Sequence, residues 1–429
     1  MTEPAIKSAA LSGTNSVVGK PDPTGIYRHG FGLKSAVQDD ISQDYRCDVV
    51  DFLRASDFSV RFDDRFEIHL AKEFGFCYGV DKAIDYAYQT RRMFPGKRIF
   101  LTTEIIHNPR VNGRLLEMGI GFLSGQYKGD TGFEDVTPED VVILPAFGAS
   151  VQEVDVLRKR GSMIVDTTCG SVIHVWKRVE KYAKEGYTAV IHGKYTHEET
   201  IGTSSRVTQF DGGHYIVVRD KDEAEIVCDF IRGKLPASLI QEKFANAISH
   251  GFDAELHLQR AGVANQTTML SSESLEIADM LKQAMIDRYG VEHIGEHFRS
   301  FDTICSATQE RQDAVHAMMK KNLDLILVVG GFNSSNTTHL IEIATHHAKA
   351  YHIEGVSHIV SAEEILHQPW DSKTTESTKG WLSPLPLRVG FTAGASTPNR
   401  AVGEVIEKVA ELCGYGVALR QLYAQPTTT

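Results

Sequence analysis

Residues 73–85 read EFGFCYGVDKAID, and how this stretch folds decides the architecture of the chain. The residues just before the cysteine, FEIHLAKEF (66–74), alternate apolar and polar as a half-buried strand does. Beyond it, Val80, Ala83, Ile84, Ala87 and Tyr88 recur at helical spacing. Cys77 therefore sits where a strand hands over to a helix. The arrangement returns twice. GSMIVDTTC leads to Cys169 and then to VIHVWKRVEKYA, and HFRSFDTIC leads to Cys305 and then to a helix predicted over 309–321. A lone cysteine is usually only a small buried hydrophobe. Three in the same setting are what ligands converging on one point require. With no C-x-x-C pair present, a compact zinc knuckle or ferredoxin loop is excluded.

Composition bounds the rest. The 429 residues allow two or three domains, and 42% hydrophobic content is ordinary for a globular chain. Net charge is -11, from 45 basic and 56 acidic residues, with no basic stripe, which argues against nucleic acid as a partner. Six cysteines, at 47, 77, 169, 228, 305 and 413, are too sparse for a disulfide scaffold. No apolar run approaches the roughly 18–20 residues that span a bilayer. Lys7 is followed by no apolar core of a secretory signal. The expectation is a cytoplasmic protein with reduced thiols and no membrane contact.

Taken in order, residues 1–70 read as an N-terminal extension, with a flexible Ser/Gly/Pro/Thr-rich lead-in over 1–25, a short helix at CDVVDFL and paired strands or one broken strand from 56 to 74. A first unit, 71–168, alternates helix and strand through KRIFLTTEII (97–106), a helix over 111–117, VVILPAFGAS, a helix over 151–159, and SMIVDTT. A second, 169–304, repeats the rhythm with an apparent insertion at 219–262 holding a helix over 223–231. A third, 305–415, contains DLILVVGG, THLIEIATHHAK, a Pro/Ser/Thr-rich surface loop at 368–386, RVGFTAGAS and a closing helix. A tail follows at 416–429. This rhythm predicts an α/β fold of three pseudo-symmetric lobes with mostly parallel sheets, not one long doubly wound sheet. Ligands in such sheets bind beyond the carboxyl ends of the strands, so three facing units would enclose a central pocket.

Three thiolates around one centre suit zinc or an iron–sulfur cluster. Zinc would want a fourth ligand or an open catalytic position, and a cubane on three cysteines would leave one iron free. Cys47, Cys228 and Cys413 lie outside the repeated position and read as packing residues. The remaining loops are unusually polar. They carry His107 and Asn108, Thr196 to Glu199, Asn265 to Thr268, Asn333 to Asn336, and Ser396 with Thr397. Serine or asparagine before a helix is commonly just an N-cap, but helix N-termini with free amides also bind phosphate. Several together favour an anionic or diphosphate ligand. His197 beside Glu199 supplies a candidate for acid catalysis or proton relay.

These motifs carry a resemblance. EIIHNP, LPAFGA, HGKYTHEET, NQTTML and TICSATQERQDA, with GFCYGV and DTTCGS, are similar to those of the LytB/IspH family of 4-hydroxy-3-methylbut-2-enyl diphosphate reductases, over about residues 70–415. The N-terminal extension resembles its longer plant and cyanobacterial branch. The resemblance implies a 4Fe–4S cluster at the centre of three lobes, held by Cys77, Cys169 and Cys305, with the fourth iron open to substrate. It implies diphosphate contacts at His107, Ser334, Asn336 and Ser396, supported by Ser335, with His197, Thr267 and Thr268 near the substrate hydroxyl and Glu199 delivering protons. It also implies an external electron donor, ferredoxin or flavodoxin, and no glycine-rich nucleotide fingerprint is present in the chain.

Two positions depart from the family pattern. Phe147 stands where many bacterial members carry a histidine that contacts diphosphate, and phenylalanine donates no hydrogen bond. Gly170 follows the second cysteine where proline is usual. The implied reaction is a two-electron, two-proton reductive dehydroxylation of an allylic alcohol, giving isopentenyl and dimethylallyl diphosphates as the last step of the non-mevalonate isoprenoid route. An iron–sulfur hydro-lyase would use the same open iron without net electron transfer. An iron–sulfur regulator or electron carrier would leave the His197–Glu199 and Ser334–Asn336 loops without a task.

Overall fold

The runs VVIL, TAVIH and LILVV are buried at every position, as strands covered by helices on both faces must be. In the computed structural model, which describes residues 19–301 and 303–424, each lies inside a different sheet. The first sheet runs Ile26–Tyr27, Met163–Asp166, Val141–Leu144, Ile99–Leu101, Ile120–Phe122, parallel throughout. The second runs Phe298–Ser300, Ala261–Asn265, Thr188–His192, Tyr215–Val218, also parallel. The third runs Lys349–Ile353, Leu325–Val329, Leu387–Ala393, Phe66–Leu70, Ser59–Phe62, and only its last pair is antiparallel. The chain is thus an α/β protein with several parallel sheets.

Stretches of opposite character decide where the elements stop. FEIHL alternates buried and half-buried residues and pairs with SVRF as a hairpin, so the stretch from 56 to 74 is two paired strands. The strand leading to Cys77 joins Leu387–Ala393 in the third sheet, while the helix after Cys77 packs in the first apolar cluster. One loop therefore ties two cores together at the cysteine.

Four expectations are corrected or limited. KRIFLTTEII is a strand only at Ile99–Leu101, because the ladder with Val141–Ile143 ends there and Thr102–Ile106 turn toward His107. The stretch 219–262, read as an insertion, packs into the second core. Its helices Lys221–Ile231 and Ala237–Lys243 bury Val227, Ile231 and Ile240 in the second core, alongside Phe252 and Leu258. The surface loop at 368–386 contains a strand, Glu376–Lys379, antiparallel to Glu364–His367. The flexible lead-in falls outside the described residues over 1–18, and the tail does so over 425–429, after a helix at Gly416–Ala424. Among the described residues no helix is long and apolar enough to cross a membrane.

Candidate functional site

Each repeated cysteine is the N-cap of a helix. Cys77 precedes Tyr78–Met93, Cys169 precedes Gly170–Lys184, and Cys305 precedes Ser306–Met319. All three are free thiols and line one cavity of about 100 Å³. Backbone bonds hold the junctions, Cys77 N–H to the Ala395 carbonyl at 3.3 Å and Cys169 N–H to the Ala146 carbonyl at 2.8 Å. The approach is close enough that a Cβ on Gly79 would fall 2.5 Å from Cys169 Sγ, so only glycine fits there. Burial pushes the Cys77 thiol up, the Val80 amide and Arg311 pull it back, and Cys169 and Cys305 push it up further. Three soft sulfur donors converging at helix N-termini fit a thiolate-bound iron centre.

The same cavity is lined by His107, His197, Glu199, Thr267, Thr268, Ser334, Ser335, Asn336 and Ser396. The residues that the family resemblance implies for the site are therefore brought to one place, while the loop residues Asn108, Thr196, Glu198, Asn265, Gln266, Asn333 and Thr397 do not line this cavity. Ser334 is the N-cap of the helix Ser335–Thr345, its hydroxyl accepting from the Thr337 amide at 3.3 Å. Ser396 Oγ donates to the His107 carbonyl at 3.3 Å and lies 3.4 Å from Ser334 Oγ. Asn336 Oδ1 accepts from the Ala395 amide at 2.8 Å, which leaves its buried Nδ2 donor unpartnered. Buried polar atoms are nearly always paired, so a free amide here calls for an acceptor on a ligand.

Glu199 is 1% exposed. Its Oε1 accepts from the Thr267 amide at 2.5 Å and its Oε2 from the Thr267 hydroxyl at 2.9 Å. Burial pushes its carboxyl up to about 7, against the Thr267 bonds and His107, which lower it. Desolvation dominates because the charged form loses more hydration than two hydrogen bonds return.

His197, N-cap of Glu198–Val207, accepts the Glu199 amide at Nδ1 (3.1 Å), which places its proton on Nε2. Burial, then His107 and Lys194, hold it well below the usual imidazole range. It is therefore a neutral donor whose Nε2 has no protein partner. His107 bonds Glu104 Oε2 through Nδ1 at 3.0 Å and stacks flat on Phe147, with centroids 4.9 Å apart and planes 9° apart. Phe147 thus braces the ring that a histidine would otherwise have accompanied. Ligand atoms of His107, His197 and Glu198 lie within 4.8 Å of one another and form a group able to hold a metal ion. Binding one through His197 Nε2 would first require removing its proton.

Gln266, one of the polar loop residues read from the sequence, joins the Lys194 amide, Thr200, Thr268 and Ser335. Other contributors were not evident from the sequence. Glu104 orients His107, and its place three residues before that histidine was the available signal. Gly79 and Arg311 carried none. Gly170 meets no atom within 4 Å of an added Cβ, so nothing around it demands glycine. Cys228 is fully buried in the second core, and Cys47 and Cys413 pack against the third, away from the cavity.

The profile of the LytB protein family matches residues 68–410. The 4-hydroxy-3-methylbut-2-enyl diphosphate reductase of Gloeobacter violaceus is 47% identical over 394 residues, covering 91% of this chain and 93% of that protein. The enzyme of the same name from Picosynechococcus is 46% identical over 384 residues, 89% and 93% of the two chains. In fold, the chain resembles the solved E-1-hydroxy-2-methyl-but-2-enyl-4-diphosphate reductase from Plasmodium falciparum, with a TM-score of 0.58 at 22% identity, over 80% of this chain and 87% of that one. By a family match that spans most of its length and relatives close to half identical over nine-tenths of it, the chain belongs to the LytB protein family.

Proposed function

We propose that the chain reduces 4-hydroxy-3-methylbut-2-enyl diphosphate to isopentenyl and dimethylallyl diphosphates, and that Cys77, Cys169 and Cys305 hold a 4Fe–4S cluster at the centre of its three lobes. The observation that carries this is the single cavity in which three N-cap thiols face a buried acid and an unpaired set of anion-binding donors. When bound, the cluster supplies electrons and an open iron acting as a Lewis acid toward the substrate hydroxyl.

The chain's own residues do the rest. Ser334, Ser396, Asn336 Nδ2 and the first amides of the helix Ser335–Thr345 offer donors for the diphosphate. His107 and His197 Nε2 face the same cavity. These contacts fix the allyl unit at the mouth of the thiol cradle, so that orientation lowers the barrier. Glu199, with a pKa of about 7, still carries a proton near neutral pH and can release it to a departing hydroxyl. Thr267 holds that carboxyl by both oxygens and keeps it in place as it changes charge. Electrons come from an external one-electron donor such as ferredoxin or flavodoxin.

The test is anaerobic turnover of the diphosphate alcohol with a reduced dye. Two electrons consumed per isopentenyl or dimethylallyl diphosphate support the reductase, whereas loss of the alcohol to a non-reduced product without dye oxidation would identify a hydro-lyase. Calorimetry on the diphosphate and its unphosphorylated alcohol tests the anion wall, which equal affinities would refute.

A further inference from the structure

Arg311 lies six residues beyond Cys305, in the helix Ser306–Met319, and is 3% exposed. Its guanidinium makes four hydrogen bonds, all to backbone carbonyls. Nε and Nη2 reach Gly75 O at 3.2 and 2.7 Å, Nη2 reaches Phe76 O at 3.2 Å, and Nη1 reaches Ala307 O at 2.7 Å. The first three fasten the two residues before Cys77 to the helix capped by Cys305. Among the described residues no carboxylate forms an ion pair with it. Those bonds occupy four of the guanidinium's five donors and leave its charge uncompensated, and arginine stays charged in proteins. A buried cation with no anion is costly. The groups that feel its field are the Cys77 thiol and the exposed Asp81, whose carboxyl partial desolvation pushes up and Lys34, Arg311 and Arg54 pull down.

We propose that Arg311 is a positioning residue whose unpaired charge sets the one-electron potential of the centre held by Cys77, Cys169 and Cys305. The inference rests on the reading that these cysteines hold an iron–sulfur cluster. Reduction adds one negative charge to a group already surrounded by thiolates. A fixed cation in the low-dielectric interior beside it favours the reduced form. The three carbonyl bonds of the fork keep that cation from swinging away and hold the Cys77 loop against the Cys305 helix.

The test is anaerobic potentiometric titration of the cluster-loaded protein with redox mediators, read by electron paramagnetic resonance of the reduced cluster. The variants are R311Q, R311M and R311K. The expected result for R311Q and R311M is a shift against the reduced state of about ten-fold or more at fixed potential, about 59 mV for a one-electron couple. R311K keeps the charge and should stay near the wild type. Wild-type potentials in R311Q and R311M overturn the proposal, and so does a shift in R311K as large as in R311Q. If R311Q fails to load iron while R311K loads it, the charge is what the thiolates require. Failure of both assigns Arg311 to loop geometry alone and overturns the charge role. Iron and sulfide analysis of the wild type tests the underlying reading separately, since absence of a cluster there defeats that reading before any variant is compared.

Discussion

Replacing Glu199 with glutamine separates proton delivery from shape. Glutamine keeps the length of the side chain, and its carbonyl can accept the Thr267 amide as Oε1 does now. Its amide can donate to the Thr267 hydroxyl, which accepts as readily as it donates. The wall of the cavity is retained and the acidic proton is lost. A positioned acid is worth about 10²–10⁴-fold in rate, so turnover should fall by that factor while substrate affinity and iron content stay close to the wild type. Because burial holds this carboxyl at about 7, wild-type turnover should decline as pH rises through 7, and E199Q should lack that limb. The assay is anaerobic steady-state reduction with excess artificial donor, at matched cluster content. Near-normal turnover in E199Q, or a persisting alkaline limb, would remove Glu199 from the proton path.

The same shift has a consequence for stability that does not depend on activity. A free glutamate ionises near 4.5, whereas this one keeps its proton to about 7. The folded state therefore binds more protons between those values, and stability falls as pH rises through the window. The penalty above 7 is about 3 kcal/mol as an upper bound. E199Q carries none of it, so it should melt above the wild type at pH 8 and level with it near pH 4. Equal differences at both pH values would show that the carboxyl is not held protonated by burial.

Serine at position 77, 169 or 305 should remove or cripple the cluster, measured as iron and sulfide content with Mössbauer spectra, while serine at 47 or 413 should not. A full cluster in all three of the first set would sink the ligand assignment. Gly79→Ala places a Cβ 2.5 Å from Cys169 Sγ and should lower cluster content. Gly170→Ala meets nothing and should leave it unchanged, gaining about 0.4–1 kcal/mol of stability from reduced freedom of the unfolded chain. The reverse order of effects would contradict the packing. Phe147→Ala removes the stack on His107, worth about 0.5–1.5 kcal/mol, and should raise KM about 2- to 12-fold with a smaller change in kcat. An unaltered KM would show that the stack does not position His107.

Much of the site was legible because it is local. A cysteine between an alternating run and a 3.6-residue period is visible in thirteen residues, and it recurs at 169 and 305. Ser334 could be placed just ahead of a helix for the same reason, whereas the loop holding His197 showed no helix after it until Glu198–Val207 was seen. What was not legible is non-local. Nothing in FEIHLAKEF says that its strand pairs with Leu387–Ala393, more than 300 positions away, instead of with its sequence neighbours. The polar look of 219–262 hid a core contribution because its buried residues, Val227, Ile231, Ile240 and Phe252, are spread thinly among charges. Gly79 became informative only when Cys169 was found against it. Arg311 acts through Gly75 and Phe76, partners that sequence spacing does not reveal.

A chain of net charge -11 has to make a polyanion pocket without spending lysines on it, and among the described residues no lysine or arginine lines the cavity. The positive field comes instead from the backbone. Cys77, Cys169, Cys305, His197 and Ser334 are all N-caps, so five helix N-termini meet at one cavity. Each carries roughly half a positive charge, and its amides are fixed in direction before any ligand arrives. Three of the five carry the thiols that line the cavity. Two present His197 and Ser334, beside donors that lack protein partners at His197 Nε2 and Asn336 Nδ2. Fixed dipoles do not titrate or swing away as mobile ammonium groups do. That property matters in a cavity where a carboxyl of pKa about 7 changes charge, because the neighbouring field stays constant while Glu199 gives up its proton.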